Sequence, residues 1–84
     1  MKAMNTLLRK PTILTACAFS KSTLHNRINE GLFTPPVSIG ARAVAWPSNE
    51  VESITNAIIA GKGNDEIKLL VKVLIEKRKE REVA

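Results

Sequence analysis

The chain has 84 residues, enough for one small domain, and a formal net charge of +5 from 13 basic and 8 acidic residues. Its single cysteine, Cys17, excludes an internal disulfide framework and lacks the partner cysteines that a zinc site would need. No stretch reaches the length of a membrane-spanning helix, and the N-terminus lacks a signal-peptide core, so we expect a cytoplasmic protein. We predict no catalytic residues, no cofactor and no bound metal.

The charge is unevenly distributed along the chain. Residues up to Trp46 contain six basic groups and one acid, Glu30, whereas the remainder is neutral. A basic surface on one part of a small protein predicts a polyanionic partner. A role in solubility alone is the alternative.

The first predicted elements are a short strand and a helix. Leu7-Leu8-Arg9 has strand-like residues, and Pro11 fits the first turn of a helix, where its missing amide hydrogen costs nothing. Phe19 is predicted to close this helix. Its predicted inward face consists of Leu14, Cys17 and Ala18, with Ile13 beside it.

A second helix is predicted over residues 20–30. Ser20 is a good N-cap and Gly31 a good left-handed C-terminal residue. Only Leu24 and Ile28 are large and apolar, so one narrow face should point inward. The outward face carries hydrogen-bonding groups and no carboxylate: Ser22, His25, Asn26 and Asn29, flanked by Lys21 and Thr23. Two short helices so joined predict a helix-turn-helix whose second helix enters the major groove, with an ordinary solvated helix as the alternative.

A β-hairpin is predicted after this helix, over residues 37–46. Pro35-Pro36 excludes helix, and the runs 37–39 and 43–46 favour strands joined by a tight turn, Gly40-Ala41-Arg42. A hairpin in this position is a wing, and Arg42 near its tip is placed to reach phosphate or the minor groove. A solvated turn residue is the alternative for Arg42. Trp46 is expected in the core.

The third predicted helix opens with Ser48 as N-cap and ends at Gly61-Lys62-Gly63. Glu50 and Glu52 would be favourable near its positive end, and its predicted inward face consists of Val51, Ile54 and Ile58.

A last amphipathic helix is predicted from Asp65 to about Glu82, capped by Asn64. Its apolar residues sweep roughly 240° of the helical wheel, more than an ordinary surface helix buries on one side. We therefore expect it to pack on the domain formed by residues 1–63 and to mediate a homodimer through Leu69 and Val73. Deeper burial within the monomer is the alternative.

These segments resemble the AlpA family of prophage regulators, small winged helix-turn-helix proteins related to phage excisionases and to MerR-type DNA-binding domains. The resemblance runs from Leu8 to about Ile59. It is carried by Arg9-x-Pro11, residues 19–24, Glu30-Gly31-x-Phe33-x-x-Pro36-Val37 and residues 39–46. In the family, the segment matching Ser-x-Ser-Thr-Leu opens the recognition helix, and Gly-x-Arg forms the wing. The family often has an aromatic residue where His25 stands and an arginine where Asn26 stands, which puts the operator sequence in doubt.

The resemblance implies a winged helix-turn-helix, and with the predicted last helix the expected fold is mainly helical with a small hairpin wing and a C-terminal helix. The implied function is sequence-specific binding of double-stranded DNA by a transcription regulator of a prophage or mobile element. The predicted DNA contacts are Ser20, Lys21, Ser22, Thr23, His25, Asn26, Arg27 and Arg42.

Two alternatives remain open. One is an excisionase that bends attachment-site DNA for an integrase, and the other is an antirepressor-type module that binds a protein through the last helix. Integrase and RNA polymerase are the candidate protein partners, and the expected location is the nucleoid of a bacterial cell, for a bacterial or phage-encoded gene. An enzyme is disfavoured, because His25 is the only histidine and no acid pair falls in a plausible cleft.

Overall fold

The computed structural model describes residues 6–81. Within this range the chain forms four helices and three strands, in the order β1 (Leu7–Leu8), α1 (Lys10–Cys17), α2 (Lys21–Asn29), β2 (Val37–Gly40), β3 (Ala43–Pro47), α3 (Ser48–Ile59) and α4 (Asn64–Arg81). This is the predicted fold, mainly helical with a hairpin wing and a C-terminal helix. The predicted end of α4 near Glu82 lies outside the described residues, and the division into domains at residue 63 stays a prediction.

The three strands form one antiparallel sheet in the order β1-β3-β2. Ser38 lies opposite Val44 and Gly40 opposite Ala43, so Ile39 is the extra residue of a bulge. Because Gly40 still belongs to β2, the turn contains two residues rather than the predicted three. The other register pairs are Leu7 with Pro47, Leu8 with Trp46, and Val37 with Ala45. Strand β1, at the beginning of the described chain, thus pairs with the wing strand β3.

Three aromatic rings lie at the centre of the molecule. Phe33 packs edge-on against Phe19, with ring centroids 6.1 Å apart, and against Trp46 at 6.5 Å. The indole Nε1–H of Trp46 donates to the carbonyl oxygen of Thr34 at 2.9 Å, which satisfies its buried polar atom. The core cluster around them contains Ile13, Leu24, Leu32, Val51, Ile54, Ile67, Val71 and Leu74.

The end of α1 differs from the prediction. The helix ends at Cys17, and Ala18 takes the left-handed conformation (φ 58°, ψ 37°). The amide of Phe19 then donates to the carbonyl oxygen of Leu14 at 3.0 Å, so Phe19 lies in the turn and does not close the helix. Ala18 is exposed and Ile13 is fully buried, which reverses their predicted places. Left-handed backbone favours glycine, so an alanine here carries no signal in the sequence.

The predicted caps of α3 and α4 were wrong. Ser48 is the first residue of α3, after Pro47, and its hydroxyl accepts a hydrogen bond from the amide of Thr6 at 3.0 Å. Asn64 is likewise the first residue of α4, and the carboxylate of Glu66 accepts from the amide of Gly63 at 3.2 Å. The hydroxyl of Ser48 thus bonds to the residue before β1 instead of capping α3. At the start of α4, Glu66 rather than Asn64 accepts a hydrogen bond from a free amide.

The inward face of α3 is narrower than predicted, and that of α4 is bounded by exposed apolar residues. Val51 and Ile54 are buried, whereas Ile58 is exposed. On α4 the buried residues are Ile67, Val71 and Leu74. Leu69 is 62% exposed and Val73 49% exposed, so the alternative of deeper burial within the monomer was wrong for these two side chains.

A buried ion pair joins α4 to α3. The guanidinium of Arg78 donates from Nε to Oε2 of Glu50 at 2.7 Å and from Nη2 to Oε1 at 2.6 Å. The same Nη2 donates to the carbonyl oxygen of Pro35 at 2.7 Å, just before the wing. The Glu50 side chain is only 3% exposed, so Arg78 neutralises a carboxylate that water barely reaches. Glu50 lies in the first turn of α3, as predicted, and the pair with Arg78 was not predicted.

Removal of Arg78 alone should destabilise the fold strongly, because it leaves the buried Glu50 carboxylate without its partner. We expect Arg78→Met to lower the free energy of unfolding by about 3–5 kcal/mol, measured by urea denaturation. Arg78→Met combined with Glu50→Leu should recover most of this loss, because no buried charge remains. An equal loss in the single and double variants would contradict this account of the pair.

Candidate nucleic-acid interface

Local interactions fix both ends of α2 as the sequence predicts. The hydroxyl of Ser20 accepts a hydrogen bond from the amide of Thr23 at 3.1 Å and donates to Oγ1 of Thr23 at 2.9 Å. At the other end Gly31 has a φ of 79°. The amide of Leu32 donates to the carbonyl oxygen of Arg27 at 2.7 Å, and that of Gly31 to Ile28 at 3.2 Å. This is a Schellman motif, which satisfies the last carbonyl groups of the helix.

The side chains of α2 divide into an apolar and a polar face. Leu24 is buried and Ile28 half-buried, both in or against the core. The exposed side chains carry hydrogen-bonding groups and no carboxylate: Lys21, Ser22, Thr23, His25, Asn26 and Asn29. The predicted orientation of the helix is confirmed, and the contacts of this polar face with DNA stay predictions.

Arg27 differs from the other predicted contacts because its guanidinium is engaged within the protein. It lies over the ring of Phe19, with Cζ 5.1 Å from the ring centroid. Its Nη2 donates to the carbonyl oxygen of Leu32 at 3.4 Å, and the side chain is half-buried. Through these two contacts Arg27 links Phe19, which precedes α2, to Leu32, which follows it. A DNA contact by Arg27 stays a prediction.

The structure brings Lys21, Ser22, His25 and Asn26 together along an open cleft of about 440 Å³. Lys10, the first residue of α1, also lines this cleft and was missed by the sequence analysis. Pro11 predicted the start of α1, but no local pattern indicates that this start lies beside α2. The charge of Lys10 within the basic part of the chain was the only available signal.

Arg42 lies in the two-residue turn at the wing tip and is exposed. Its φ is 61°, in the left-handed region. A residue with a Cβ atom pays roughly 1–2 kcal/mol in this conformation, which glycine would avoid. Arg42 does not line the cleft beside α2, so the wing tip and the polar face of α2 are separate parts of the candidate surface.

Within residues 6–81, no group of three or more His, Cys, Asp or Glu side chains is arranged to hold a metal ion. No helix in the same range is long and apolar enough to cross a membrane.

Residues 6–56 match the family described as Prophage CP4-57 regulatory protein (AlpA). The chain belongs to the AlpA family. The matched segment runs from the residue before β1 into α3, and so contains the helix-turn-helix and the wing. The family is described as a prophage regulatory protein, and α4 lies beyond the matched segment.

A relative in Enterobacteria phage P4, described as "Uncharacterized protein ORF88", is 40% identical over 55 residues. This alignment covers 66% of the present chain and 62% of the relative, so the chain spans less than two thirds of that relative. No solved structure matches the chain.

Replacement of Arg42 by glycine tests two properties of this residue separately: the strain of its left-handed backbone and the contact of its side chain with DNA. Arg42→Gly should leave the thermal midpoint unchanged or slightly higher, because relief of the left-handed strain offsets the entropy of glycine in the unfolded state. If Arg42 contacts a phosphate, the slope of log affinity for DNA against log salt should fall in magnitude by about one. An unchanged slope would remove Arg42 from the interface.

Proposed function

We propose that the chain is a sequence-specific double-stranded-DNA-binding regulator of a prophage or mobile element. In this proposal α2 lies in the major groove and the wing contacts the backbone or the adjacent minor groove. The observation that carries it is the carboxylate-free polar face of α2, exposed on a helix whose opposite face holds the buried Leu24. An α-helix of this kind fits the major groove, where donors and acceptors of every base pair are accessible.

The side chains of α2 divide by their chemistry. Thr23, His25 and Asn26 are candidates for base edges, since asparagine pairs well with adenine, and Lys21 at the start of α2 is a candidate for guanine or for the backbone. Oγ1 of Thr23 accepts a hydrogen bond from Ser20, so its own hydrogen remains to be donated. Ser22, with the amides at the start of the helix, suits phosphate oxygens, whereas the predicted phosphate contact of Ser20 would require its hydroxyl to give up the hydrogen bond that it donates to Oγ1 of Thr23.

The side chains of the candidate site fit binding of DNA better than they fit catalysis. His25 is exposed on the polar face, and Sγ of the half-buried Cys17 lies 3.6 Å from Oγ1 of Thr55. Among residues 6–81, neither has the partner groups that general acid–base or nucleophilic catalysis would require. Action on DNA would place the protein at the nucleoid, in the cytoplasm of a bacterial cell.

The second candidate is an excisionase, which would bend attachment-site DNA for an integrase. The wing supports this candidate, because Ile39 is exposed on the bulge of β2, and apolar side chains can unstack base steps from the minor groove. Loss of prophage excision on deletion of the gene, with the gene beside an integrase, would favour it. Failure to bind any genomic DNA would instead favour an antirepressor that contacts a protein, such as RNA polymerase, through α4.

The decisive experiment compares the two faces of α2. Genomic fragments that the purified protein binds are selected first, and then Asn26→Ala and Leu24→Ala are tested on the selected site. Asn26→Ala should change stability by less than about 0.5 kcal/mol. It should still lose about 1–3 kcal/mol of specific affinity if Asn26 makes a bidentate base contact, while non-specific binding persists.

Leu24→Ala is the matched variant on the buried face. It should lower the free energy of unfolding by about 2–5 kcal/mol through the cavity it leaves. If Asn26→Ala and the variants of the neighbouring polar residues all bind the selected site like the wild type, α2 does not read the sequence.

We further propose a homodimer through the exposed apolar face of α4. Leu69 and Val73, four residues apart, line a groove of about 360 Å³ with Ala57 and Leu70. Exposed aliphatic side chains at this spacing form a stripe that a second helix can cover.

Sedimentation equilibrium at micromolar concentration tests the dimer. The wild type should be a dimer, and Leu69→Glu or Val73→Glu should be folded monomers, since the altered side chains are exposed. Lys72→Glu, at an exposed position between them on α4, controls for the added negative charge and should remain a dimer. A wild type that stays monomeric at high concentration would refute the interface.

A further inference from the structure

A second cleft separates α2 from the wing. Its volume is about 210 Å³, and Lys10, Lys21 and His25 lie along it, as they do along the larger cleft beside it. The remaining lining is apolar and consists of Leu24, Ile28, Pro36, Val44 and Trp46. None of the described residues that line either cleft is acidic. The space between helix and wing therefore combines an apolar floor with a cationic side.

The two lysines are available to a ligand. Both are exposed, and among residues 6–81 neither forms an ion pair. They come from different helices, Lys10 from the start of α1 and Lys21 from the start of α2, and they share both clefts. Two ammonium groups on one cleft favour an anion between or beside them.

Duplex geometry indicates which anion would occupy this position. The major and minor grooves are separated by a sugar–phosphate strand. If α2 enters the major groove and the wing reaches the adjacent minor groove, the strand between them has to pass over the cleft that separates α2 from the wing. A phosphate matches the lysines, and the carbon atoms of a deoxyribose match an apolar floor.

We propose that this cleft is a binding site for one sugar–phosphate unit of duplex DNA, and this inference rests on the proposed function. Lys10 and Lys21 bind the phosphate, and the half-exposed Val44 packs against the adjoining sugar. Lys10 thereby makes α1 part of the interface, in addition to α2 and the wing. The contact is to the backbone, so it positions the protein without selecting a base.

The test uses the full chain, the duplex selected by the wild type, and a series of salt concentrations. Because the two lysines share one phosphate, Lys10→Gln and Lys21→Gln should each reduce the magnitude of the slope of log affinity against log salt by less than one, and the double variant should reduce it by about one. Lys72→Gln, an exposed lysine on α4 that lines neither cleft, removes the same charge and should leave the slope unchanged. Val44→Ala should weaken binding without a change in the slope, because it removes contact area and no charge.

Duplexes with a single uncharged methylphosphonate then locate the phosphate. The wild type should lose affinity at one position near the selected site, and the Lys10→Gln/Lys21→Gln double variant should show little further loss at that same position, because the methylphosphonate and the double change remove the same interaction. If the double variant keeps the wild-type slope and the full methylphosphonate effect while Asn26→Ala still loses specific affinity, the backbone site is refuted and the proposed function stands. If the wild type selects no DNA, the proposed function is refuted, and the backbone site that rests on it is refuted with it.

Discussion

The placement of the two candidate DNA-contacting elements depends on the packing of Phe33 between two other aromatic rings. Phe19, 6.1 Å away, lies in the turn between α1 and α2, and Trp46, 6.5 Å away, lies on β3. Edge-on aromatic pairs contribute about 0.5–1.5 kcal/mol each beyond their burial. Since one ring contacts both the helix-turn-helix and the wing, a loss of Phe33 would affect their relative position as well as stability. The geometry of the surface is therefore a property of the core.

The last helix completes that core, although it lies beyond the segment that matches the AlpA family. Ile67, Val71 and Leu74 belong to the central cluster, and Arg78 binds both Glu50 and the carbonyl oxygen of Pro35. A domain this small buries a limited fraction of its surface, so three more apolar side chains matter to its stability. The helix thus connects to α3 through an ion pair and to the segment before the wing through a hydrogen bond. Any partner that pulled α4 away would break that pair and expose the core.

Both ends of α2 and the position of the hairpin were predictable from neighbouring residues in the chain, whereas the caps of α3 and α4 and the pairing of distant side chains were not. Ser20, Gly31 and the hairpin follow from caps and turn residues, and all three are confirmed. The ion pair of Glu50 with Arg78 joins residues 28 positions apart, which no local pattern reveals. Lys10 was not predicted as part of the site for the same reason, since its position beside α2 depends on how α1 packs. The turn at Ala18 failed differently, because alanine seldom adopts left-handed backbone.

Two features of the candidate DNA-binding surface lower the stability of the protein, and the fold does not need either of them. In α2 Leu24 is the one fully buried side chain among nine residues, so the helix depends on its caps and on its neighbours for stability. In the wing, Arg42 occupies a left-handed position that glycine would fill without strain. Stability in a domain of this size is a small difference between large terms, and conformational strain of this kind is typical of functional positions. Packing explains why Trp46 and Phe33 stand where they do, whereas it offers no reason for an arginine at the wing tip. The proposed phosphate contact would supply one.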